Sequence, residues 1–238
     1  MSSGTSTDTW HFFARPWLAA LALAWTVGVI DSYSFAEYGV FTSNQAGNLV
    51  VLGNELPQDP QRATLAGLSL LGAVAGVAAA TVLQRLFAKG PWLKVAVPLV
   101  FVVMLMVVGW FLRHVVGSPP ETLVPVTSAA LAGLATAAYR TPAIQGWITA
   151  NTGAVLTTVH TAFETREERR ASVKPVQPAI MITVGFLSGA LLWGSGVFGT
   201  TDPTPVALIP TIIALVLAVV NARRSGDRTR SGRSSLGA

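Results

Sequence analysis

The chain has no cysteine, few charges and only three histidines. Without cysteine there is no disulfide, no thiolate nucleophile and no cysteine-bound metal. His11, His114 and His160 stand far apart with no ligand spacing, so neither a metal site nor a cofactor is expected. No G-x-x-x-x-G-K-[ST] stretch is present, which argues against a nucleotide-driven pump. No nucleophile–base pair stands out, so the chain is not expected to be an enzyme and no catalytic residue is assigned. Asp, Glu, Lys and Arg make up only 11% of the 238 residues, where a soluble domain carries roughly a quarter.

What is present is apolar. Hydrophobic residues make up 51% of the chain and the mean hydropathy is +0.55. Six runs, 17–37, 63–86, 92–112, 122–139, 176–198 and 204–220, are read as membrane spans, since about 20 apolar residues cross about 30 Å of hydrocarbon as helix. Arg15 and the apolar residues 18–24 resemble the start of a signal peptide. No small-residue cleavage site follows and the run continues past Asp31, so a retained first helix is expected. Two shorter stretches, 40–53 and 144–163, are apolar but interrupted by polar residues.

A pattern occurs twice. Val40-Phe41-Thr42-Ser43-Asn44-Gln45-Ala46-Gly47-Asn48 has a later counterpart in Gly146-Trp147-Ile148-Thr149-Ala150-Asn151-Thr152-Gly153-Ala154. Gly72-x-x-x-Gly76 recurs as Gly185-x-x-x-Gly189, and Pro91 and Pro98 recur at the same spacing as Pro203 and Pro210. Offsets of about 105 to 113 residues, in one order, indicate two copies of one unit; in a membrane protein such copies with matching polar breaks point to a substrate path.

Lys and Arg set the orientation. Arg15, then Arg85, Lys89 and Lys94, then Arg166, Arg169, Arg170 and Lys174, and finally Arg223, Arg224, Arg228, Arg230 and Arg233 all fall inside if both termini are cytoplasmic. Arg62 and Arg113 fall outside. Each copy then holds three spans, an odd number, so the copies are inverted about a pseudo-two-fold axis in the membrane plane. The basic tail follows a span and carries no aromatic residues. It is read as a disordered retention signal that attracts anionic lipid, and no nucleic acid is expected. A competing count makes both short stretches full spans, giving eight in two parallel copies. A 14-residue helix covers only about 21 Å, too short for an easy crossing.

The motifs bear a family likeness. Gly28-Val29-Ile30-Asp31, then Phe41 to Ala46-Gly47-Asn48 and a short apolar run ending in Gly53, resembles the YoaK-like bacterial membrane proteins of unknown function. Their G-F-V-D and F-x-x-x-x-T-G-N blocks match in order. A second block, G-L-Q-N-A, Arg and T-T-x-x-T-G, is similar to Gly133-Leu134-Ala135-Thr136-Ala137, Arg140 and Thr149-Ala150-Asn151-Thr152-Gly153. Ala46, Ala135 and Thr136 depart from the pattern. The resemblance covers about residues 16–221 and implies a polytopic inner-membrane protein with no established activity.

The expected fold is an all-α transmembrane bundle of six full spans plus two short broken or re-entrant helices, in two inverted three-span repeats. The divisions are a cytoplasmic N-terminal tail (1–15), a first repeat (16–113), a connecting loop (114–121), a second repeat (122–221) and the basic tail (222–238). Asp31 is the ionisable residue deepest in the first span. An acid there costs about 2.5–3.5 kcal/mol on insertion scales. It reads as a proton or cation site or, equally, as a helix cap at a break before Ser32. Asn44, Gln45, Asn48, Asn151 and Thr152 supply uncharged donors and acceptors, and Gly47 and Gly153 permit close backbone approach. Arg140 is either a counter-charge for an anion or an interfacial anchor. Gly72, Gly76, Gly185 and Gly189 are read as helix-packing positions. These residues suggest a secondary transporter or channel for a small polar or anionic solute, with proton coupling through Asp31. The alternative is a non-transporting scaffold or partner-binding subunit. The expected partners are the lipid bilayer and an unidentified small solute or ion, with homo-oligomers left open.

Overall fold

The computed structural model describes residues 16–88, 93–139 and 176–234. Among these, the chain forms α1 (Pro16–Tyr38), α2 (Gln45–Glu55), α3 (Pro60–Phe87), α4 (Leu93–Phe111), α5 (Pro120–Tyr139), α6 (Val176–Gly194) and α7 (Thr204–Ser234), with no strand. A π turn, Leu112–Val116, extends α4. Each of the six long apolar runs coincides with a helix. Three segments are both long and apolar enough to cross a membrane: Pro60–Phe87, Leu93–Val116 and Pro120–Ala138. The apolar parts of the last two helices, Ile180–Gly194 and Thr204–Val220, are shorter.

Many large apolar side chains lie on the outer surface. Leu71, Val74, Met104, Leu191, Ile209 and Val216 are all more than half exposed. A water-soluble monomer rarely shows such continuous apolar surface. Inside, Leu23, Val27, Leu99, Leu131 and Leu134 from α1, α4 and α5 form the core.

Two seams hold the bundle together. Gly72 and Gly76 on α3 press against the backbone of Pro125 and Ala129 on α5. Gly185 and Gly189 on α6 press against the carbonyls of Leu21 and Trp25 on α1. A Cβ at any of the four would strike backbone, so a larger side chain would force the helices apart. Residue numbers rise together along both seams, so each joins two parallel helices. The same interval separates Leu21 from Pro125 as separates Trp25 from Ala129. Pro98 and Pro210 lie inside α4 and α7, which pack on each other.

α2 does not cross the bundle. α1 ends at Tyr38 because Gly39 takes the left-handed conformation (φ +69°), its N–H bonded to the Phe35 carbonyl. The chain then turns back and reaches the level of Asp31, about 10 Å inside the end of α1. From there α2 climbs out again. Arg62 near the start of α3 donates from Nε to the Gly39 carbonyl at 2.9 Å and pairs with Glu55 at 3.2 Å. The end of α1, the end of α2 and the start of α3 therefore share one end of the bundle.

α7 continues as helix through Ser234, into the basic stretch 222–238. No proline follows Pro210, and arginine is a good helix former. The second short stretch, 144–163, lies outside the described residues.

Candidate functional site

Asp31 is 1% exposed and sits mid-helix, because α1 runs on to Tyr38 without a break at Ser32. It caps no helix of its own. Its carboxylate instead grips the returning chain. Oδ1 accepts from the Thr42 N–H at 2.9 Å, the Thr42 hydroxyl at 3.0 Å and the Ser43 N–H at 2.8 Å. Oδ2 accepts from the Ser43 hydroxyl. Residues 40–43 are irregular, so their backbone groups have no helical partners. One acid satisfies two of those amides at once, and hydrogen bonds to a charged acceptor are the strong ones.

A second grip lies beside the first. Asn44 starts α2, its Oδ1 accepting from the Gly47 N–H at 3.2 Å. Asn48 is fully buried. Its Oδ1 accepts from the Phe41 N–H at 2.9 Å, and its Nδ2 faces the Phe41 carbonyl (2.6 Å), Gln45 Oε1 (3.1 Å) and Ser69 Oγ (2.9 Å). Gln45 donates from Nε2 to the Thr42 carbonyl at 3.0 Å. Ser69 on α3 donates to the Phe41 carbonyl at 2.8 Å and lies 2.8 Å from the Ser128 hydroxyl on α5. Gly47 is small because the Phe41 ring lies against it: a Cβ would come within 2.9 Å.

The structure thus gathers Asp31, Asn44, Gln45, Gly47 and Asn48 around residues 41–43. Their polar atoms are largely spent on one another and on that backbone. Thr42, Ser43, Ser69 and Ser128 belong to the same cluster and were not singled out in the sequence. Arg140, Asn151, Thr152 and Gly153 lie outside the described residues.

A cavity of about 50 Å³ adjoins the cluster. It lies near one end of the bundle, between α1, α4, α5 and the start of α7. Thr42 lines it, so one of the residues that holds Asp31 also faces the cavity. Tyr33, Ser34, Tyr38, Thr127 and Arg113 supply further polar lining. The Tyr33 and Tyr38 hydroxyls are 3.3 Å apart, and the Arg113 guanidinium lies over the Tyr33 ring, 4.8 Å from its centroid. The Ser34 hydroxyl is buried without a hydrogen-bond partner among the described residues. Arg113 is aimed by the π turn, which closes at Gly117 in the left-handed conformation (φ +69°). Such turns are frequent at functional sites. Next to it, His114 Nε2 lies 2.6 Å from Asp202 Oδ2 and ties the end of α4 to the segment before α7. Asp202 Oδ1 in turn accepts from the Thr204 N–H at 2.9 Å.

Sequence reasoning assigned Arg113 only to an outer end, because a charge after an apolar run normally marks the interface. Among the described residues, no three His, Asp or Glu side chains gather as a metal site requires.

Comparison with known proteins gives one match. The model of the family described as protein of unknown function (DUF1275) aligns with residues 19–220. No curated protein and no solved structure is significantly similar to the chain. The aligned stretch takes in both seams, the Asp31 cluster and the cavity. The chain therefore belongs to the DUF1275 family.

Proposed function

We propose that this chain is a YoaK-like bacterial inner-membrane protein that crosses the membrane six times, as two inverted three-span repeats with both termini cytoplasmic. In this reading it is a secondary transporter or channel for a small polar or anionic solute. The repeats comprise residues 16–113 and 122–221. Support for the inversion comes from the seams: the first helix of each half packs on the second helix of the other, through the same glycine pair. α2 returning to the end it came from supports three spans rather than four in the first half.

The observation that carries the functional reading is the irregular backbone of residues 39–44, which reaches two helical turns inside the end of α1 and adjoins, through Thr42, a mostly apolar cavity with Arg113 and several hydroxyl side chains in its lining. Irregular backbone at membrane depth survives only when buried in protein or facing a wet cavity, and here it is buried beside a cavity. Solute passes through that cavity. Asp31 supplies the coupling: as carboxylate it accepts from Thr42 and Ser43, and a proton on it takes away the charge that strengthens these bonds and loosens the segment that walls the cavity. The second break, with Asn151, Thr152, Gly153 and Arg140, approaches from the opposite face and completes the path.

Flux of small anions and polar solutes into proteoliposomes under a pH gradient tests this. Wild type is expected to show pH-dependent flux of at least one solute, and Asp31→Asn to lose the pH dependence. Unchanged flux in that variant removes the coupling role. No flux across the solute set, from protein shown to be folded, removes transport and leaves a membrane scaffold. Reporter fusions at Ala238 and within residues 199–205 check the topology, and a periplasmic C-terminus overturns the inversion.

A further inference from the structure

We propose that the cavity between α1, α4, α5 and α7 binds one small, planar, monovalent oxyanion of the formate or nitrate class. Arg113 supplies the charge, and the hydroxyls of Ser34, Tyr33 and Tyr38 act as neutral donors. The inference rests on the reading of this cavity as a solute site and names the chemistry it selects.

The charge comes first. Arg113 is the cation among the cavity-lining residues, and no carboxylate lines the cavity with it. Asp202, the acid nearby, is engaged by His114 and by the Thr204 N–H rather than by Arg113. Among the described residues no acid stands within 4.0 Å of the Arg113 guanidinium. Asp202 offsets the Arg113 charge only from a distance, so the half-sheltered guanidinium is left to take an anion in direct contact.

The donors come second. Ser34 is one of the cavity-lining residues, and its buried Oγ has no partner among the described residues. A buried hydroxyl left unpaired is costly, so a native structure that keeps one calls for an explanation. An acceptor in the cavity provides it. The two tyrosine hydroxyls can donate only one proton between them within their own contact, which leaves the other for a ligand.

Size and shape narrow the class. By the measure in which one water needs about 10–15 Å³, the cavity of about 50 Å³ takes roughly three to five heavy atoms. A guanidinium is a planar fork that matches two oxygens of a planar oxyanion, which an ammonium does not do. The Tyr33 ring, with its centroid 4.8 Å from the guanidinium carbon, limits how far that fork can turn.

The test is binding by the purified full-length chain in detergent, at constant ionic strength, with sodium formate, nitrate, chloride and gluconate as probes. Isothermal calorimetry and tryptophan fluorescence both serve, since Trp193 packs at 5.8 Å on Tyr33 and Trp110 at 5.4 Å on His114. Saturable binding of formate or nitrate is expected, with gluconate inert and chloride weaker. Arg113→Gln is expected to weaken binding at least tenfold, Arg113→Lys to lose the preference for the planar anions over chloride, and Ser34→Ala to weaken binding a few-fold. Size-exclusion profiles and melting temperatures establish that each variant is folded. Binding that is absent in wild type, or unmoved by both Arg113→Gln and Ser34→Ala, overturns the site. Equal affinity for chloride and nitrate overturns the oxyanion assignment. Binding without flux in proteoliposomes keeps the site and removes transport; flux without binding, insensitive to Arg113→Gln, does the reverse.

Discussion

The Asp31–Asn48 cluster and the neighbouring cavity are built from similar residues but completed differently. In the cluster, an acid, two amides and several hydroxyls meet one another's donors and acceptors, and each carboxylate oxygen of Asp31 is engaged. Around the cavity, one lining serine has an unpaired hydroxyl and the arginine has no carboxylate in direct contact. Thr42 stands on the border, bonded to Asp31 on one side and facing the cavity on the other. The contrast separates polarity that holds a chain in place from polarity held ready for something else. Polar residues in an apolar protein are often read alike as functional, yet saturation tells the two kinds apart.

Substitutions can break or sharpen this contrast. The largest effect is expected for Asp31→Ala. It strands the Thr42 and Ser43 amides in a buried site, at about 1–3 kcal/mol each, and loss of monodisperse protein after heating in detergent reads it out. Asn48→Ala comes next, at about 1–3 kcal/mol, because the Phe41 amide loses its partner while the Phe41 carbonyl keeps the Ser69 hydroxyl; the same melting assay applies. Asp31→Asn is expected to cost less than Asp31→Ala, since its remaining oxygen still accepts from the backbone and the Ser43 hydroxyl can turn to accept from the new amide. If it melts like Asp31→Ala, charge rather than acceptor geometry holds the loop. The smallest effect is expected for Ser34→Ala, within about 0.5 kcal/mol of wild type or slightly stabilising, because deletion relieves an unpaired hydroxyl. A drop of several degrees in its melting temperature would place Ser34 in the saturated group and dissolve the contrast.

Much of the first region was visible in the sequence. Asp31, Asn44, Gln45 and Asn48 stand out because polar residues are rare within apolar runs, and Gly47 because it adjoins them. The glycine pairs stand out by spacing. What periodicity and composition do not carry is who bonds to whom. Asp31 in front of Ser32-Tyr33-Ser34 looks like the end of a helix, but its acceptors serve backbone eleven and twelve residues away and the helix runs on to Tyr38. Ser69 and Ser128 are lone small polar residues in apolar helices, and only the α3–α5 seam brings their hydroxyls together. Arg113 looks like an interfacial anchor until the π turn and the neighbouring tyrosines give it a cavity to face.

The crossed seams also carry a consequence for how the protein is made. α1 must wait for its close partner α6, which begins at Val176. At ordinary rates of synthesis that is roughly 7–30 s after α1 emerges. For that interval α1 lacks its glycine-seam partner while carrying a carboxyl group. The partners of that group lie on the next few residues to leave the ribosome, so the most expensive side chain of α1 is cared for locally, long before the second half of the protein arrives. A nascent chain halted after α3 should therefore already shield Asp31, while its glycine seam to α1 is still unmade.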